Sequence, residues 1–130
     1  MPRRGSRRMG RRVLVIEDEP NIVAAISFIL VRDGWEVKSH DHGADALEVI
    51  RATAPDLLIL DMLLPGRSGL EILQALRAEP DTAGLPVLML TAKGQLRDRQ
   101  LAESSGADRF MAKPFSNTEV LASVREMVAS

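Results

Sequence analysis

Short, almost purely apolar runs alternate with amphipathic segments five times along this chain, and that alternation restricts the fold more than any other feature. VLVIE (13–17), DLLILD (56–61) and PVLMLTA (86–92) are apolar on both faces, the pattern of strands covered from two sides. Trp35 and Val37 alternate with polar neighbours and mark a strand nearer a sheet edge, and RFMA (109–112) is the fifth. Ile22, Val23, Ile26, Ile29 and Leu30 recur at helical spacing behind Pro20, which suits a first helical turn, and Gly34 can end that helix. Ala46, Leu47 and Ile50 mark a second helix, stopped by Pro55. Ser68 and Glu71, and again Ser116 and Glu119, have the S-x-x-E spacing of a capping box. The first opens a helix through Leu73 and Leu76. The second opens one with a clean stripe of Val120, Leu121, Val124, Met127 and Val128. Segment 94–106 reads as a helix with a thin stripe, mainly Leu96 and Leu101. Five βα units in series predict a three-layer α/β sandwich, a parallel five-stranded sheet with helices on both faces.

The 130 residues suit one domain, read as residues 12–130 behind a basic, disordered extension at 1–11. Residues 1–12 carry six arginines and no acid, whereas the rest has 11 basic and 18 acidic residues, a net charge of −7. Such an arm is able to touch nucleic acid or an anionic surface. Against that, the acidic body repels phosphate backbones and aromatics for base stacking are scarce, so direct DNA binding by this chain is not expected. No apolar run approaches the roughly 20 residues of a membrane span. The basic start is followed only by VLVI, too short for a signal peptide, and the expected location is cytoplasmic. With no cysteine, disulfides and thiolate zinc sites are excluded. His40 and His42 alone are a weak metal signal and read as solvated loop residues.

In folds of this kind function sits beyond the C-terminal strand ends. Glu17 and Asp18 end strand one, Asp61 strand three, Thr91 strand four, and Lys113 follows strand five. Three carboxylates in one crevice repel one another unless a cation joins them. Mg2+ fits, because it takes a few carboxylates, keeps waters and accepts phosphate oxygens. The set suits phosphoryl transfer, with Asp61 as in-line nucleophile, Lys113 and Mg2+ neutralising phosphoryl oxygens and Thr91 donating a hydrogen bond. Each residue also has a plainer reading: the Glu17–Glu19 acids as company for a helix N-terminus, Asp61 as a loop acid, Thr91 as a strand-end residue, Lys113 as a surface lysine. Four such coincidences at one sheet edge weigh against the plain readings taken together.

VIEDEP, LLILDMLLPG, LMLTA and FMAKPF, with the spacings Asp61 to Thr91 and Thr91 to Lys113, resemble the receiver domain of two-component response regulators over residues 11–129. The resemblance implies a flavodoxin-like (βα)5 fold with strand order 2-1-3-4-5. It implies that Asp61 accepts a phosphoryl group from a sensor histidine kinase or a histidine phosphotransfer protein. Metal ligands would be Asp18 directly, Glu17 largely through water, Asp61, and the backbone carbonyl of Leu63. Thr91 would swing onto the phosphoryl group, Phe110 would turn inward as the switch aromatic, and Lys113 would pair with the phosphoryl, positioned by a cis bond to Pro114. The surface of helix four, strand five and helix five would then change, signalling to a downstream target or an output domain beyond this chain. A thin-striped helix four suits that mobility. The resemblance also implies that the protein is not an enzyme beyond its own phosphorylation and dephosphorylation.

Three departures matter. Leu63 is apolar where many relatives are polar, and Lys93 follows Thr91 by two; both flank the path of attacking water. Phe110 lacks the hydroxyl of the more usual Tyr, so its two positions are expected to differ only by packing. Arg109 replaces an acid and Ser123 an arginine, which puts a charge-paired, phosphorylation-dependent dimer in doubt. Two other readings compete: a Mg2+-dependent phosphatase with an Asp nucleophile, disfavoured because Leu63 stands where those enzymes carry a second acid, and a receiver-like adaptor that is never phosphorylated.

Overall fold

The three doubly apolar runs form the middle of the sheet. In the computed structural model, which describes residues 11–91 and 96–129, they are β1 (Arg12–Ile16), β3 (Leu57–Asp61) and β4 (Val87–Thr91). Every residue of β3 and β4 is buried, and so is all of β1 after Arg12. The polar-alternating β2 (Glu36–His40) and the short β5 (Arg109–Ala112) take the edges, and the five parallel strands run in the order β2-β1-β3-β4-β5. Five helices connect them: α1 (Pro20–Arg32), α2 (Ala46–Thr53), α3 (Gly69–Ala78), α4 (Leu96–Ser104) and α5 (Asn117–Ala129). This is the (βα)5 sandwich expected from the sequence pattern, with the strand order that the resemblance implies.

Period-two alternation sorts the strand residues between two cores. Leu14, Ile16, Leu58, Leu60, Val87 and Met89 face the α2, α3 and α4 side, against Ile50, Ile72, Leu73, Leu76 and Ala102. Val13, Val15, Ile59, Leu88 and Leu90 face α1 and α5, against Ile26, Leu30, Val120 and Val124. Both capping boxes form. Ser68 Oγ accepts from the Glu71 amide while Glu71 accepts from the Ser68 amide, each at 3.2 Å, and the Ser116–Glu119 pair does the same at 3.1 and 2.9 Å. One packing expectation is corrected. Leu101 points to solvent, and α4 docks through the neighbouring Ala102, which is fully buried. The Leu96 side chain lies outside the described ones; among the described side chains of α4 only the Ala102 methyl is fully buried, a shallow anchor for a helix.

The loop after β3 is set by two glycines. Gly66 adopts φ +87°, a conformation that side chains resist. Gly69 begins α3 with its amide donating to the Met62 carbonyl at 3.0 Å, and a Cβ there would collide with the Asp61 carbonyl. The absence of a side chain at 69 is what lets α3 start directly against the end of β3. Gly69→Ala is therefore expected to destabilise the fold by about 2 kcal/mol, the range for overpacking a tight site, read as a lower urea midpoint; an unchanged midpoint would show that the helix start yields freely.

Candidate functional site

Parallel pairing places the chemistry at one edge. Asp61 is the last residue of β3, opposite Leu90; Thr91 is the last of β4, opposite Ala112; Glu17 follows β1 and Lys113 follows β5. The Glu17 amide donates to the His40 carbonyl at 2.9 Å and the Lys113 amide to the Thr91 carbonyl at 2.9 Å, so both residues extend the ladder by one step. Asp18 and Glu19 are exposed on the turn into α1. Asp61 is only 3% exposed and Glu17 only 1%.

The Lys113 ammonium sits among the acids, 2.9 Å from Glu17 Oε1, 3.1 Å from Asp61 Oδ2 and 3.4 Å from Glu19 Oε1. The Lys113–Pro114 bond is cis. Asp61 Oδ1 accepts from the Leu63 amide at 3.2 Å, and Glu17 Oε2 from the Glu19 amide at 2.9 Å. Burial is the largest influence on Glu17 and pushes its pKa up to about 7, against the pull of the Lys113 ammonium and the Glu19 amide. Burial alone would lower the Lys113 pKa, but bonding to Glu17 and Asp61 outweighs it and holds the ammonium above its ordinary value.

Carboxylate oxygens of Glu17, Asp18 and Asp61 lie within 4.8 Å of one another. The contact of Glu17 Oε1 with Lys113 is ionic but poorly aimed, and this oxygen and Thr91 Oγ1 are buried without a directed hydrogen bond. A buried hydroxyl without a partner, and a carboxylate oxygen with only an ill-directed ionic contact, beside clustered carboxylates fit a hard divalent cation and a further oxygen ligand. Glu17, Asp18, His40 and Asp41 line a cleft of about 530 Å³ between α1 and β2.

Leu63 is 68% exposed beside Asp61, leaving an apolar side chain at the mouth of the site. Lys93 lies outside the described residues. Phe110 is half-buried on β5, and the Arg99 guanidinium of α4 lies 4.4 Å from its ring centroid. Packing is thus not the only force on that ring, since a cation–π contact of about 0.5–1 kcal/mol favours the position it occupies. Sequence reading missed this because nothing in a linear pattern pairs an α4 arginine with a β5 aromatic. Arg109, whose charge was read as breaking a dimer pattern, pairs with Glu126 of its own α5 at 2.8 Å. His40 was expected in a solvated loop; it closes β2, half-buried, bonded to Asp45 at 2.7 Å.

A doubly wound five-stranded domain with buried acids and a lysine at its C-terminal strand edge defines the receiver class of α/β proteins. The family model described as response regulator receiver domain matches residues 13–125, and the chain belongs to that family. It is 40% identical over 116 residues to the probable transcriptional regulatory protein TcrX of Mycobacterium tuberculosis, covering 89% of this chain and 49% of that protein. It is 39% identical over 117 residues to the phosphate regulon transcriptional regulatory protein PhoB of Rhizobium meliloti, covering 90% and 52%. The chain therefore spans about half the length of these curated relatives. Among solved structures it is similar to the receiver domain of the sensor histidine kinase PA1611 from Pseudomonas aeruginosa PAO1, described with a magnesium ion coordinated in its active site cleft. The TM-score is 0.84 at 26% identity, covering 93% of this chain and 99% of that one. No helix among the described residues is long and apolar enough to cross a membrane.

The raised Glu17 pKa has a stability consequence. Between the ordinary carboxylate value and about 7 the folded chain holds a proton that the unfolded chain has released, so this group's contribution falls as pH rises through that window. Removing Lys113 takes away the neutralising charge. Lys113→Met is expected to destabilise by about 2 kcal/mol at pH 8, discounted for the lysine's partial exposure, and by much less at pH 5, where Glu17 is protonated. Urea unfolding at the two pH values measures the difference; equal losses would mean that Lys113 acts by packing alone.

Proposed function

We propose that this receiver domain accepts a phosphoryl group on Asp61 and relays the event through the surface formed by α4, β5 and α5. The observation that carries the reading is the convergence of the Glu17, Asp18 and Asp61 carboxylates with the Lys113 ammonium 2.9 and 3.1 Å from two of them. Glu17, Asp18, Asp61 and the Leu63 backbone carbonyl would hold Mg2+, which supplies neutralisation of the phosphoryl oxygens.

An Asp61 carboxylate oxygen attacks phosphorus of a phosphohistidine or small acyl phosphate. The new bond is an aspartyl O–P bond, the bond to the donor atom breaks, and the leaving group departs with the electron pair. Lys113 then exchanges part of its contact with Asp61 for a phosphoryl oxygen, while the buried Thr91 hydroxyl, which lacks a directed partner, supplies a hydrogen bond to another. Movement of Thr91 frees space for the Phe110 ring, and the ring leaves its Arg99 contact. The loosely seated α4 follows. Hydrolysis of Asp61 phosphate by water returns the domain to its starting state, so the only reactions catalysed are the chain's own phosphorylation and dephosphorylation. The donor is a sensor histidine kinase or histidine phosphotransfer protein in the cytoplasm. The receiver signals to a downstream target or an output domain, and the relatives TcrX and PhoB, named as transcriptional regulators, support an output in gene control. A phosphorylation-dependent dimer would have to rearrange the Arg109–Glu126 pair.

Intact mass after incubation with Mg2+ and a small acyl phosphate is expected to show one labile phosphoryl group, absent in Asp61→Asn and absent without Mg2+. An unmodified wild-type chain that also fails to bind fluoroberyllate would leave the adaptor reading standing. Repeated turnover of a phosphate monoester would favour the phosphatase reading instead. Because Leu63 offers no hydrogen bond to an incoming water, Leu63→Asn is expected to speed decay of the phosphorylated form, followed as loss of the mass adduct with time. An unchanged decay rate would remove Leu63 from control of water access.

A further inference from the structure

At the end of β2, across the cleft from the acids, the loop leading into α2 gathers two imidazoles and two carboxylates. Donor atoms of His40, Asp41 and His42 lie within 4.8 Å of one another, and the two rings are 4.6 Å apart at their centroids, tilted by 39°. Asp45 Oδ1 lies 2.7 Å from His40 Nε2 and 3.2 Å from His42 Nε2, so one oxygen faces the same nitrogen of both rings. Asp45 is also the N-cap of α2, yet its side chain makes no capping hydrogen bond. An aspartate there normally bonds the helix amides, and this one is turned to the histidines instead.

His42 is the informative residue. Its Nε2 faces Asp45, and its Nδ1 lies 2.9 Å from Asp41 Oδ1. A neutral imidazole carries one proton, so one of these nitrogens would present a lone pair to a carboxylate oxygen. Two conditions relieve that conflict: a second proton on the ring, or a cation between Nδ1 and Asp41. The environment asks for positive charge between those atoms.

We propose that His40, Asp41 and His42 form a binding site for a borderline divalent cation of the zinc type, on the opposite wall of the cleft from the Glu17 and Asp18 carboxylates, with Asp45 as the hydrogen-bond acceptor behind the His40 ring. Imidazole nitrogen with one carboxylate is a donor set that suits zinc, nickel or copper, whereas magnesium takes oxygens. The Asp45 bond to His40 Nε2 would leave that ring's Nδ1 lone pair for a metal, the carboxylate–histidine–metal relation of many zinc sites, and a cation would take the place of the proton that His42 Nδ1 shares with Asp41. His42 is partly exposed, so the metal has a route in and room to keep water. The Glu17 amide bond to the His40 carbonyl joins this site's strand to the phosphoryl site, but binding here requires no phosphorylation.

The test is a Zn2+ titration of the whole chain by calorimetry in saturating Mg2+, which keeps the acid crevice filled. One equivalent is expected to bind, the affinity falling at least about tenfold in His42→Ala and in Asp41→Asn, on the scale reported for metal-site losses, and remaining unchanged in Asp61→Asn. Both affected residues are at the surface, and unchanged circular dichroism confirms that the variants fold. Imidazole nitrogen chemical shifts are expected to move at Nδ1 of His40 and His42 when Zn2+ is added. Absence of Zn2+ binding in Mg2+, or binding that survives both variants, or binding lost in Asp61→Asn, would overturn the proposal. Because the readout is metal affinity, failure of phosphorylation at Asp61 leaves it untouched.

Discussion

The Lys113 ammonium is the charge on which the rest of the site depends. Glu17 and Asp61 are almost fully buried at adjacent strand ends, and two bare carboxylates at that depth would repel each other and lose hydration. Lys113 answers both, but incompletely. It lies closest to Glu17, where burial still lifts the pKa to about 7, and it leaves Glu17 Oε1 without a well-directed donor. A site so balanced is held together well enough to fold yet keeps an appetite for more positive charge. That incomplete neutralisation suits the cation-dependent phosphoryl acceptance proposed for the site, because a fully satisfied acid cluster would have no reason to bind anything.

The sheet supplies the geometry that makes one lysine sufficient. Parallel strands in register bring residues from sequence positions 17, 61, 91 and 113 to one edge without any loop having to reach across. The layers beneath them are dry on both faces, so the ladder cannot slip by one residue without turning a whole set of aliphatic side chains to the wrong core. Gly69 adds the last restraint by letting α3 begin against the Asp61 carbonyl. The rigidity of the site is therefore a property of the core. The site's own contacts are few, and the one fully buried side chain among those described in the neighbouring α4 is Ala102.

Much of this was legible in the sequence because it is written in short-range pattern. Doubly apolar runs can only be covered strands, S-x-x-E can be read as a cap, and acids interrupting the C-terminal end of such a run stand out, as Asp61 does after LLIL. What was not legible is relational. Leu101 and Ala102 are adjacent, and hydrophobicity favours the leucine, but the turn of the helix buries the alanine. His40 and His42 lie in a polar stretch that reads as loop. Only the β2 register opposite Ile16 and the position of Asp45 at the start of α2 bring the rings onto a shared carboxylate. The Arg99–Phe110 stack joins two elements whose separation no periodicity encodes.

That stack bears on the switch proposed for this domain. With tyrosine replaced by phenylalanine, the inward and outward ring positions lack a hydroxyl to distinguish them, and packing alone would leave the balance to the depth of the pocket. The guanidinium of Arg99 weights one position by about 0.5–1 kcal/mol, a factor of roughly two to five in population. Because Arg99 is carried by α4, the weight is placed on the coupling between ring and helix. Displacing the ring releases a contact of the same helix whose only fully buried side chain among those described is Ala102. Among the described side chains of α4, the Ala102 methyl and the Arg99 cation–π contact are both attachments to the sheet side, and breaking the second weakens that hold. In the switch proposed for this domain, cooperativity would come from that helix, with the tight sheet behind it as the unmoving reference.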